Sequence, residues 1–526
     1  MIRSSGNIRG VRDEVKRVVW SLGGRRWPPL LSGESGEGLM RDWLRRSAEL
    51  STGAVGLRCA GRMMTFGELD QGVDRVCAGL AGVGVRQGDW VGVLGHTSID
   101  LVLILFGLWR FGAVSVPVNI RWSEAEVVRV ARGYGVARWL VDHSNRWLEG
   151  ERLDLVHDYT KLINQNATTD PRKVATAAHH RDDVCCALFT SGTSGTPKAV
   201  QITHANLLHN AALTSIRLGI RPNDHWLCCL PLFHVGGLAM LYRAIITGTT
   251  ISLHERFDVE AVNDAINHNG VTHVSLVPTM LSRLLDTRTT PPPHPVTVLL
   301  GGAAAPAALI TRARQANFDV LSTYGLTEST SQAATQAPAA AGVKIGSAGR
   351  SVPFVTVTVR GADGMERPAG EIGDIYVKGP TIMKGYANDP AANGAAITPY
   401  GLRTGDLGYL DADGDLWIVN RRTDLIVSGG ENIYPAEVEA ALMQITGITA
   451  ACVVAVDDPE WGQIPAAAVI SERPVALAEL RAALNPLLAR YKHPKRLLRV
   501  NTLPLLANGK VDRRAVASMF KNGPDH

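Results

Sequence analysis

The stretch that decides the fold is Phe189-Thr190-Ser191-Gly192-Thr193-Ser194-Gly195-Thr196-Pro197-Lys198-Ala199-Val200. The apolar runs on either side of it, 184–189 and 199–202, are short enough to be buried strands, so the sequence predicts a flexible loop between two strands. The glycines at 192 and 195 allow close approach of backbone N–H groups to a ligand. Such a loop is suited to a polyphosphate, and its side-chain donors are the hydroxyls of Thr190, Ser191, Thr193, Ser194 and Thr196 and the ammonium of Lys198.

A P-loop is the obvious alternative, but the spacing does not fit one. Counting from Gly192, a P-loop requires glycine at 197 and serine or threonine at 199. The chain has Pro197 and Ala199, and no helix pattern plainly begins at Lys198. On composition alone the run is more typical of a plain flexible loop. The two flanking strands and the single lysine favour a ligand-binding loop.

Strand and helix patterns alternate on both sides of this loop. Thr65 and Glu68 form a capping box ahead of a helix. The chain then continues with predicted strand Trp90–Leu94, helix Ile99–Phe111 and strand 113–118, and after the loop with a helix capped by Thr203 and strands Trp226–Leu230, Thr249–His254, Val271–Val277 and Val296–Leu300. This alternation predicts an α/β fold with parallel sheets, whose ligands bind at the carboxyl ends of strands.

Changes of pattern divide the chain into an arm and two domains. Residues 1–36 form a basic N-terminal arm, which suits either a membrane-surface contact or a frayed terminus. Residues 37–421 form a large domain, and short strands with frequent Gly, Asp and Pro predict a β-rich subdomain at about 346–420. Residues 422–526 mix helices with strands and predict a small α+β domain.

Composition indicates a globular protein of the cytoplasm. Of the 526 residues, 45% are hydrophobic and 20% are charged, as in soluble domains. The net charge of +5 is too small to indicate nucleic acid as a partner. The most apolar stretch, 101–118, contains Arg110 and two glycines, so no stable membrane insertion is expected. Seven cysteines without C-x-x-C spacing predict buried, reduced thiols, and a homodimer is compatible with the sequence but not specified by it.

Two further segments carry residues that suit a nucleotide. In 322–328 the hydroxyl of Thr327 and the carboxylate of Glu328 can hold a phosphate and Mg²⁺ together, and Tyr324 can stack on a base. In 403–408, Asp406 lies on a glycine-flanked loop, where it can accept both hydroxyls of a ribose. Each pattern alone is weak, because Tyr-Gly is common in turns and Gly-Asp favours an Asx-turn.

Taken together, five motifs in this order resemble those of the AMP-forming adenylating enzymes: acyl-CoA synthetases, luciferases and peptide-synthetase adenylation domains. The motifs are the loop 190–198, Tyr324–Glu328, Thr404–Asp406, the segment 421–435 and Gly509-Lys510. The resemblance covers nearly all of the chain beyond the arm. It implies a large domain of stacked α/β sheets, with its β-rich subdomain, hinged at Thr423 to a mobile C-terminal domain. It also implies that ATP and Mg²⁺ activate a carboxylic acid as an acyl-adenylate.

The same resemblance implies a role for each matching residue. Nucleotide contacts are implied for Thr190, Ser191, Gly192, Thr193, Ser194, Gly195, Thr196, Lys198, Gly302, Ala303, Tyr324 (on adenine), Thr327, and Asp406 and Arg421 (both on ribose). Glu328 is implied as the Mg²⁺ ligand. The implied catalytic residues are Lys510, Thr193, Lys198 and His234. The loop of Gly429 and Gly430 is implied to enter the site when the thioester forms.

Further resemblances indicate which molecule accepts the acyl group and which carboxylic acid is activated. His234 stands where amino-acid-activating relatives typically have an acid, so free coenzyme A is favoured over a peptidyl carrier. The phrases 231–238, 327–332, 346–350 and 421–437 look most like o-succinylbenzoate–CoA ligases of menaquinone synthesis. That substrate has two carboxylates and a ketone, and the implied pocket consists of His234, Gly301, Ser331 and Gln332.

Two alternatives remain at the level of sequence. The first is a fatty or aryl acid–CoA ligase, in which His234 only gates the acyl channel. The second is a non-catalytic nucleotide-binding regulator that has kept the fold. The second is disfavoured because Lys198, Glu328, Asp406 and Lys510 are all present.

Overall fold

The computed structural model describes residues 39–40, 42–144, 155–164, 179–191, 197–303, 305–420, 425–504 and 511–522. The predicted N-terminal arm, the loop residues 192–196, Arg421, Thr423 and Lys510 lie outside these ranges. The helices of the described part are α1 Trp43–Ser51, α2 Phe66–Gly82, α3 Ile99–Phe111, α4 Glu124–Tyr134, α5 Tyr159–Asn164, α6 His204–Leu218, α7 Val235–Thr247, α8 Val259–His268, α9 Pro278–Thr287, α10 Ala307–Gln315, α11 Pro390–Ala396, α12 Pro435–Leu442, α13 Leu477–Leu484 and α14 Arg513–Asn522.

Most strands of the first half of the chain build the two large sheets, β1 and β8 pair with each other, and the second half builds the smaller sheets except for β20, which joins a large one. The first half comprises β1 Leu39–Met40, β2 Val55–Cys59, β3 Arg62–Thr65, β4 Trp90–Leu94, β5 Val114–Pro117, β6 Arg138–Val141, β7 Leu155–Asp158, β8 His179–His180, β9 Val184–Ser191, β10 Pro197–Thr203, β11 His225–Cys228, β12 Thr250–Leu253, β13 His273–Leu276, β14 Val296–Leu300, β15 Phe318–Leu326, β16 Ser331–Thr335 and β17 Arg350–Ser351. The second half comprises β18 Thr356–Arg360, β19 Gly373–Lys378, β20 Gly385–Tyr386, β21 Ile397–Thr398, β22 Gly401–Leu410, β23 Leu416–Asn420, β24 Ile426–Ser428, β25 Glu431–Ile433, β26 Ile448–Asp458, β27 Gly462–Ser471 and β28 Arg496–Arg499.

Two large sheets form the first part of the chain. One has seven strands in the order β20-β10-β9-β5-β4-β6-β7, and the other has nine in the order β17-β16-β15-β14-β13-β11-β12-β2-β3. One continuous core joins them: it contains Val91 and Val93 of the first sheet, Trp226 and Ile251 of the second, and most of α3. Most neighbouring strands are parallel, as in other sheets covered by helices on both faces. The predicted α/β class is confirmed.

The helix caps and helix ends predicted from short sequence patterns are present in the structure. Thr65 caps α2 in a capping box with Glu68, and α3 runs from Ile99 to Phe111 and ends at the left-handed Gly112. The strands around the central loop are also confirmed, because β9 and β10 pair antiparallel as a hairpin around residues 192–196. Some predicted ends were too long: β11 stops at Cys228 rather than at 230, shortly before the chain turns at Pro231.

Two smaller sheets follow. The five strands β18, β19, β22, β21 and β23 form the predicted β-rich unit, with its own core around Val357 and Ile375. The strands β25, β24, β27, β26 and β28 form the sheet of the C-terminal unit. This last sheet has apolar clusters on both faces, one with α12 and α13 and the other with α14.

The C-terminal unit is docked on the large one through buried charges. The ammonium of Lys492 lies 2.6 Å from Glu126 Oε1, at the start of α4, and 2.8 Å from Glu437 Oε1, on α12. All three side chains are buried. Burial raises the pKa of the Glu437 carboxyl. A buried ammonium between two carboxyl groups is costly to separate, so this contact fixes one arrangement of the two units.

Two further sequence predictions concern the state of the cysteines and the presence of membrane-spanning helices. All seven cysteines are buried and none forms a disulfide, as predicted. Among the described helices, none combines the length and the apolar character needed to cross a membrane.

Candidate active site

A cleft lies where the large unit, the β-rich unit and the C-terminal unit meet. Its empty volume is about 660 Å³, part of it open to solvent. Residues from five separate segments line it, including Thr190, Thr327, Glu328, Tyr386, Asp406, Asn432 and Tyr434. Four of the five sequence motifs therefore meet in one cleft, although they are far apart along the chain.

The hairpin β9–β10 brings its residues to this cleft. Thr190 is the partner of Lys198 across the hairpin and lines the cleft. The tip of the hairpin, residues 192–196, lies outside the described residues, as does the side chain of Ser191. Of the described residues of the hairpin, Thr190 therefore provides the contact with the cleft.

Thr327 and Glu328 follow directly on strand β15. They belong to a single 3₁₀ turn, Thr327–Ser329, at the end of this long strand. One carboxylate oxygen of Glu328, Oε1, accepts a hydrogen bond of 2.8 Å from the hydroxyl of Tyr386. Among the described residues, nothing donates to the other oxygen, Oε2. The carboxylate thus retains an oxygen that can coordinate a cation.

Asp406 and Tyr324 are hydrogen-bonded to each other. The hydroxyl of Tyr324 donates to Asp406 Oδ2 at 2.7 Å, and both residues are buried. The backbone N–H of Asp406 also donates to the hydroxyl of Thr404. Asp406 lines the cleft, and its contact with a ribose stays a prediction. The ring of Tyr324 is only 2% exposed, so it lies beneath the surface of the cleft.

The two glycine-containing loops named from the sequence approach the same side chain, Val277. A Cβ on Gly302 would lie 3.1 Å from Val277, and a Cβ on Gly430 would lie 3.4 Å from it. Gly301 to Ala303 follow strand β14 at its carboxyl end, in the large unit. The loop of Gly429 and Gly430 belongs to the C-terminal unit, so this contact joins the two units at the rim of the site.

His234 is the residue before helix α7 and faces the C-terminal unit. Its Nε2 lies 3.0 Å from Glu431 Oε2, next to Gly430. Glu431 also contacts the guanidinium of Arg121. Burial, and then the charge of Arg121, lower the pKa of His234 to about 4. The imidazole is therefore neutral at neutral pH and donates its N–H to the carboxylate.

Ser331 and Gln332 begin strand β16 after a strained turn. Thr330 and Ser331 both have left-handed backbones, with φ of 53° and 90°. Such strain in residues other than glycine is concentrated at functional sites. The side chain of Gln332 is not free, because its Oε1 accepts hydrogen bonds from Arg243 (2.8 Å) and Thr214 (3.1 Å).

Arg243 is a residue that the sequence analysis missed. Its side chain is 1% exposed and stacks on Trp226. Within the described residues its guanidinium contacts two amide oxygens, of Gln332 and Asn210, but no carboxylate, and its Nε has no partner. Burial lowers its pKa to about 9, so it remains charged at neutral pH. The sequence feature that could have indicated Arg243 is that it is the only charged residue in the largely apolar segment 235–247.

Several of the residues expected to act are not described. They are Gly192, Thr193, Ser194, Gly195, Thr196, Arg421 and Lys510, and the hinge residue Thr423 is also outside the described ranges. Their roles stay predictions. In the part that is described, Asn432 and Tyr434 of the C-terminal unit nevertheless line the cleft together with residues of the large unit, and Glu431 contacts His234, 197 positions away.

A cleft near the carboxyl ends of strands, lined by Thr190, Thr327 and the carboxylates of Glu328 and Asp406, is typical of ligand-binding α/β proteins. The model of the AMP-binding enzyme family matches residues 44–387, and that of the AMP-binding enzyme C-terminal domain matches residues 437–510. The chain therefore belongs to the AMP-binding enzyme family.

Within this family, the chain is similar to ligases that act on one particular acid. The 2-succinylbenzoate–CoA ligase of Bacillus subtilis (strain 168) is 36% identical over 481 residues, covering 91% of this chain and 98% of its own length. The solved structure of a double mutant of o-succinylbenzoate CoA synthetase from Bacillus subtilis, bound with its product analogue OSB-NCoA, is similar at a TM-score of 0.87 and 35% identity, covering 93% of this chain and 99% of its own.

Two other structures of that synthetase superpose less well. The complex with the acyl-adenylate intermediate OSB-AMP has a TM-score of 0.70 at 34% identity, covering 93% of this chain and 99% of its own. The complex with ATP and magnesium ion has a TM-score of 0.71 at 35% identity, covering 90% and 99%. At nearly equal identity, the TM-score is thus higher for the product-analogue complex than for these two complexes.

Proposed function

We propose that this protein is an acid–CoA ligase that uses ATP in two steps. The first step makes an acyl-AMP from a carboxylic acid and releases pyrophosphate; the second transfers the acyl group to coenzyme A and releases AMP. The favoured acid is o-succinylbenzoate, which places the protein in menaquinone biosynthesis and in the cytoplasm. The observation that carries the proposal is the cleft in which Thr190, Thr327, Glu328 and Asp406 meet. Family membership and the Bacillus subtilis ligase support it.

In this proposal, different residues bind different parts of the nucleotide. Asp406 accepts the ribose hydroxyls, while Thr190, Thr327 and Lys198 donate to the phosphates. An oxygen of the acid's carboxylate attacks the α-phosphorus, and the bond from this phosphorus to pyrophosphate breaks. Donors fixed in place before the reaction stabilise the negative charge that develops there.

Glu328 fits a magnesium site. Mg²⁺ in nucleotide enzymes is held by one or two carboxylates together with substrate phosphates, and Oε2 of Glu328 is open to such a ligand within the described residues. When bound, Mg²⁺ neutralises charge on the departing pyrophosphate. The protein's own contribution is to hold the carboxylate in one orientation, which the Tyr386 hydroxyl does.

The second step uses the arrangement that the structure describes. Gly430 lies against Val277 and Gly429 lies beside Trp461, and the lack of side chains at both glycines would leave room for the thiol arm of coenzyme A. The thiol loses its proton and attacks the acyl carbon, and the bond to AMP breaks. His234, which is neutral and hydrogen-bonded to Glu431, would border the acyl pocket in this proposal.

The acid is tested by comparing substrates. Thioester formation with o-succinylbenzoate, benzoate and octanoate should show a clear preference for o-succinylbenzoate, because the pocket offers buried polar groups that a plain hydrocarbon chain leaves unpaired. Pyrophosphate release with each acid, with and without coenzyme A, is the measurement. A clear preference for octanoate would assign the protein to the fatty acid–CoA ligases and leave the two-step chemistry intact.

We further propose that Arg243 receives the second carboxylate of o-succinylbenzoate. The cation is buried without a carboxylate partner among the described residues, and it is hydrogen-bonded to Gln332 at the implied acyl pocket. Burying an uncompensated charge is costly, so an anionic substrate group that pairs with it gains much of its binding there.

Replacing Arg243 with methionine should affect activity with o-succinylbenzoate much more than activity with benzoate. The value of kcat/KM should fall by about 10- to 100-fold for o-succinylbenzoate, as expected for a charged hydrogen bond. Activity with benzoate should change little, since its only carboxylate is the one that reacts. Arg243→Lys, which keeps the positive charge, is the matched variant. Its kcat/KM for o-succinylbenzoate should fall less. Equal loss with both acids would show that Arg243 only supports the fold.

A further inference from the structure

Tyr386 contacts both charged groups of the proposed metal and phosphate sites. It lies in strand β20, is 5% exposed and lines the cleft. Its hydroxyl donates to Glu328 Oε1 at 2.8 Å, and the ammonium of Lys198 lies 5.1 Å from the centre of its ring. One side chain thus touches the proposed metal ligand through its hydroxyl and the proposed phosphate ligand through its face.

The backbone around Tyr386 is fixed independently of these contacts. Its N–H donates to Asn393 Oδ1 at 2.7 Å, and its carbonyl accepts from Asn393 Nδ2 at 2.9 Å. Tyr386 pairs with Val200 of β10, the strand that carries Lys198. The N–H of Met383 donates to the carbonyl of Glu328 at 2.9 Å. These bonds therefore hold the backbone of Tyr386 in place without involving its hydroxyl.

The ring also keeps two opposite charges apart. Within the described residues, Lys198 and Glu328 both contact Tyr386 but form no ion pair with each other. A direct pair would occupy the carboxylate that a metal requires and the ammonium that a phosphate requires. The cation lies over the face of Tyr386 and the carboxylate at its hydroxyl, so both charges stay available.

We infer that Tyr386 is a positioning residue for adenylation: its hydroxyl sets the orientation in which Glu328 receives Mg²⁺, and its ring separates Glu328 from Lys198. The inference rests on the proposed role of Glu328 as metal ligand. It predicts that loss of the hydroxyl weakens the metal site without affecting the transfer to coenzyme A, which starts from a nucleotide that has lost its pyrophosphate.

The test is Tyr386→Phe in the full chain. Binding of Mn²⁺ in the presence of α,β-methylene-ATP, followed by the electron paramagnetic resonance signal of free Mn²⁺, should weaken by about tenfold. The Mg²⁺ concentration for half-maximal pyrophosphate release should rise by the same factor. Thioester formation from synthetic acyl-adenylate and coenzyme A should stay near the parent rate.

Two comparisons make the test specific. Tyr134→Phe removes a hydroxyl that bonds Pro197 and Ala199 of the same strand outside the cleft, and it should leave Mn²⁺ binding unchanged. In a Glu328→Gln background, Tyr386→Phe should have little further effect, because the two residues act as a unit.

Three results would overturn the inference: unchanged Mn²⁺ binding, equal slowing of both half-reactions, or a full tenfold effect in the Glu328→Gln background. The Mn²⁺ titration needs no acid. A protein that activates none of the acids would therefore refute the proposed function, while the titration would still decide the role of Tyr386.

Discussion

Replacing Lys510 with alanine is expected to lower acid-dependent pyrophosphate release by ~10³-fold or more, since a charge placed at the reacting phosphorus is among the largest catalytic terms. Given synthetic acyl-adenylate and coenzyme A, the same variant should make thioester at a rate near that of the parent. Both half-reactions are followed separately, by pyrophosphate release and by thioester formation. Equal slowing of the two would mean that Lys510 supports the fold and that one arrangement serves both steps.

The reason for this split lies in the C-terminal sheet. Leu503 and Val511, which bracket the segment containing Lys510, pack with α14 on one face of the sheet. Helix α12, which follows the cleft residue Tyr434, packs on the other face. In the arrangement that the structure describes, the sheet itself stands between the flanks of that segment and the cleft. If Lys510 acts in adenylation as predicted, the unit has to turn, as in enzymes that use one site for two steps by domain rotation.

Gly430 provides the reciprocal variant. Its φ is 90° and a Cβ there would lie 3.4 Å from Val277, so Gly430→Leu should obstruct the docked arrangement. Acyl-adenylate should then form and accumulate while thioester formation falls. Gly447→Leu is the matched control, because Gly447 has a φ of 89° in the same unit and a Cβ there would meet only Glu472, at 4.0 Å. Equal effects of the two variants would indicate backbone strain rather than blocked docking.

The sequence predicted those parts of the site that are local in the chain. The hairpin β9–β10 follows from two apolar runs around a Gly/Ser/Thr loop, and α2 follows from its capping box. Glu328 and Asp406 were found because each lies in a short motif, and the structure places both in one cleft. Strand ends were less accurate, because pairing with a neighbouring strand decides where a strand stops.

The parts that were missed depend on contacts between distant residues. Tyr386 bonds a residue 58 positions away, and Arg243 bonds Gln332 across 89 positions. Neither lies in a pattern that names its partner. Lys492 is the extreme case, since it looks like an ordinary surface lysine and is buried against Glu126, 366 positions away. Such pairs are fixed by how sheets and units pack, which local periodicity does not encode.

Replacing Glu328 with glutamine should lower acid-dependent pyrophosphate release by ~10²-fold or more. Glutamine has nearly the same shape, and its carbonyl oxygen can still accept the hydroxyl of Tyr386, so the cleft should keep its form. What is lost is the negative charge that holds Mg²⁺ against the phosphates. The remaining activity should require more Mg²⁺, measured as the concentration for half-maximal pyrophosphate release, while thioester formation from synthetic acyl-adenylate should be unaffected.

A matched change separates this effect from a general loss of negative charge. Glu371 is exposed and does not line the cleft, so Glu371→Gln removes the same charge without touching the site and should behave like the parent. Thermal unfolding of both variants checks that the fold is intact. Unchanged pyrophosphate release with an ordinary Mg²⁺ requirement in Glu328→Gln would refute the metal role. The inference about Tyr386 would then fall as well, because that side chain would have no metal ligand to orient.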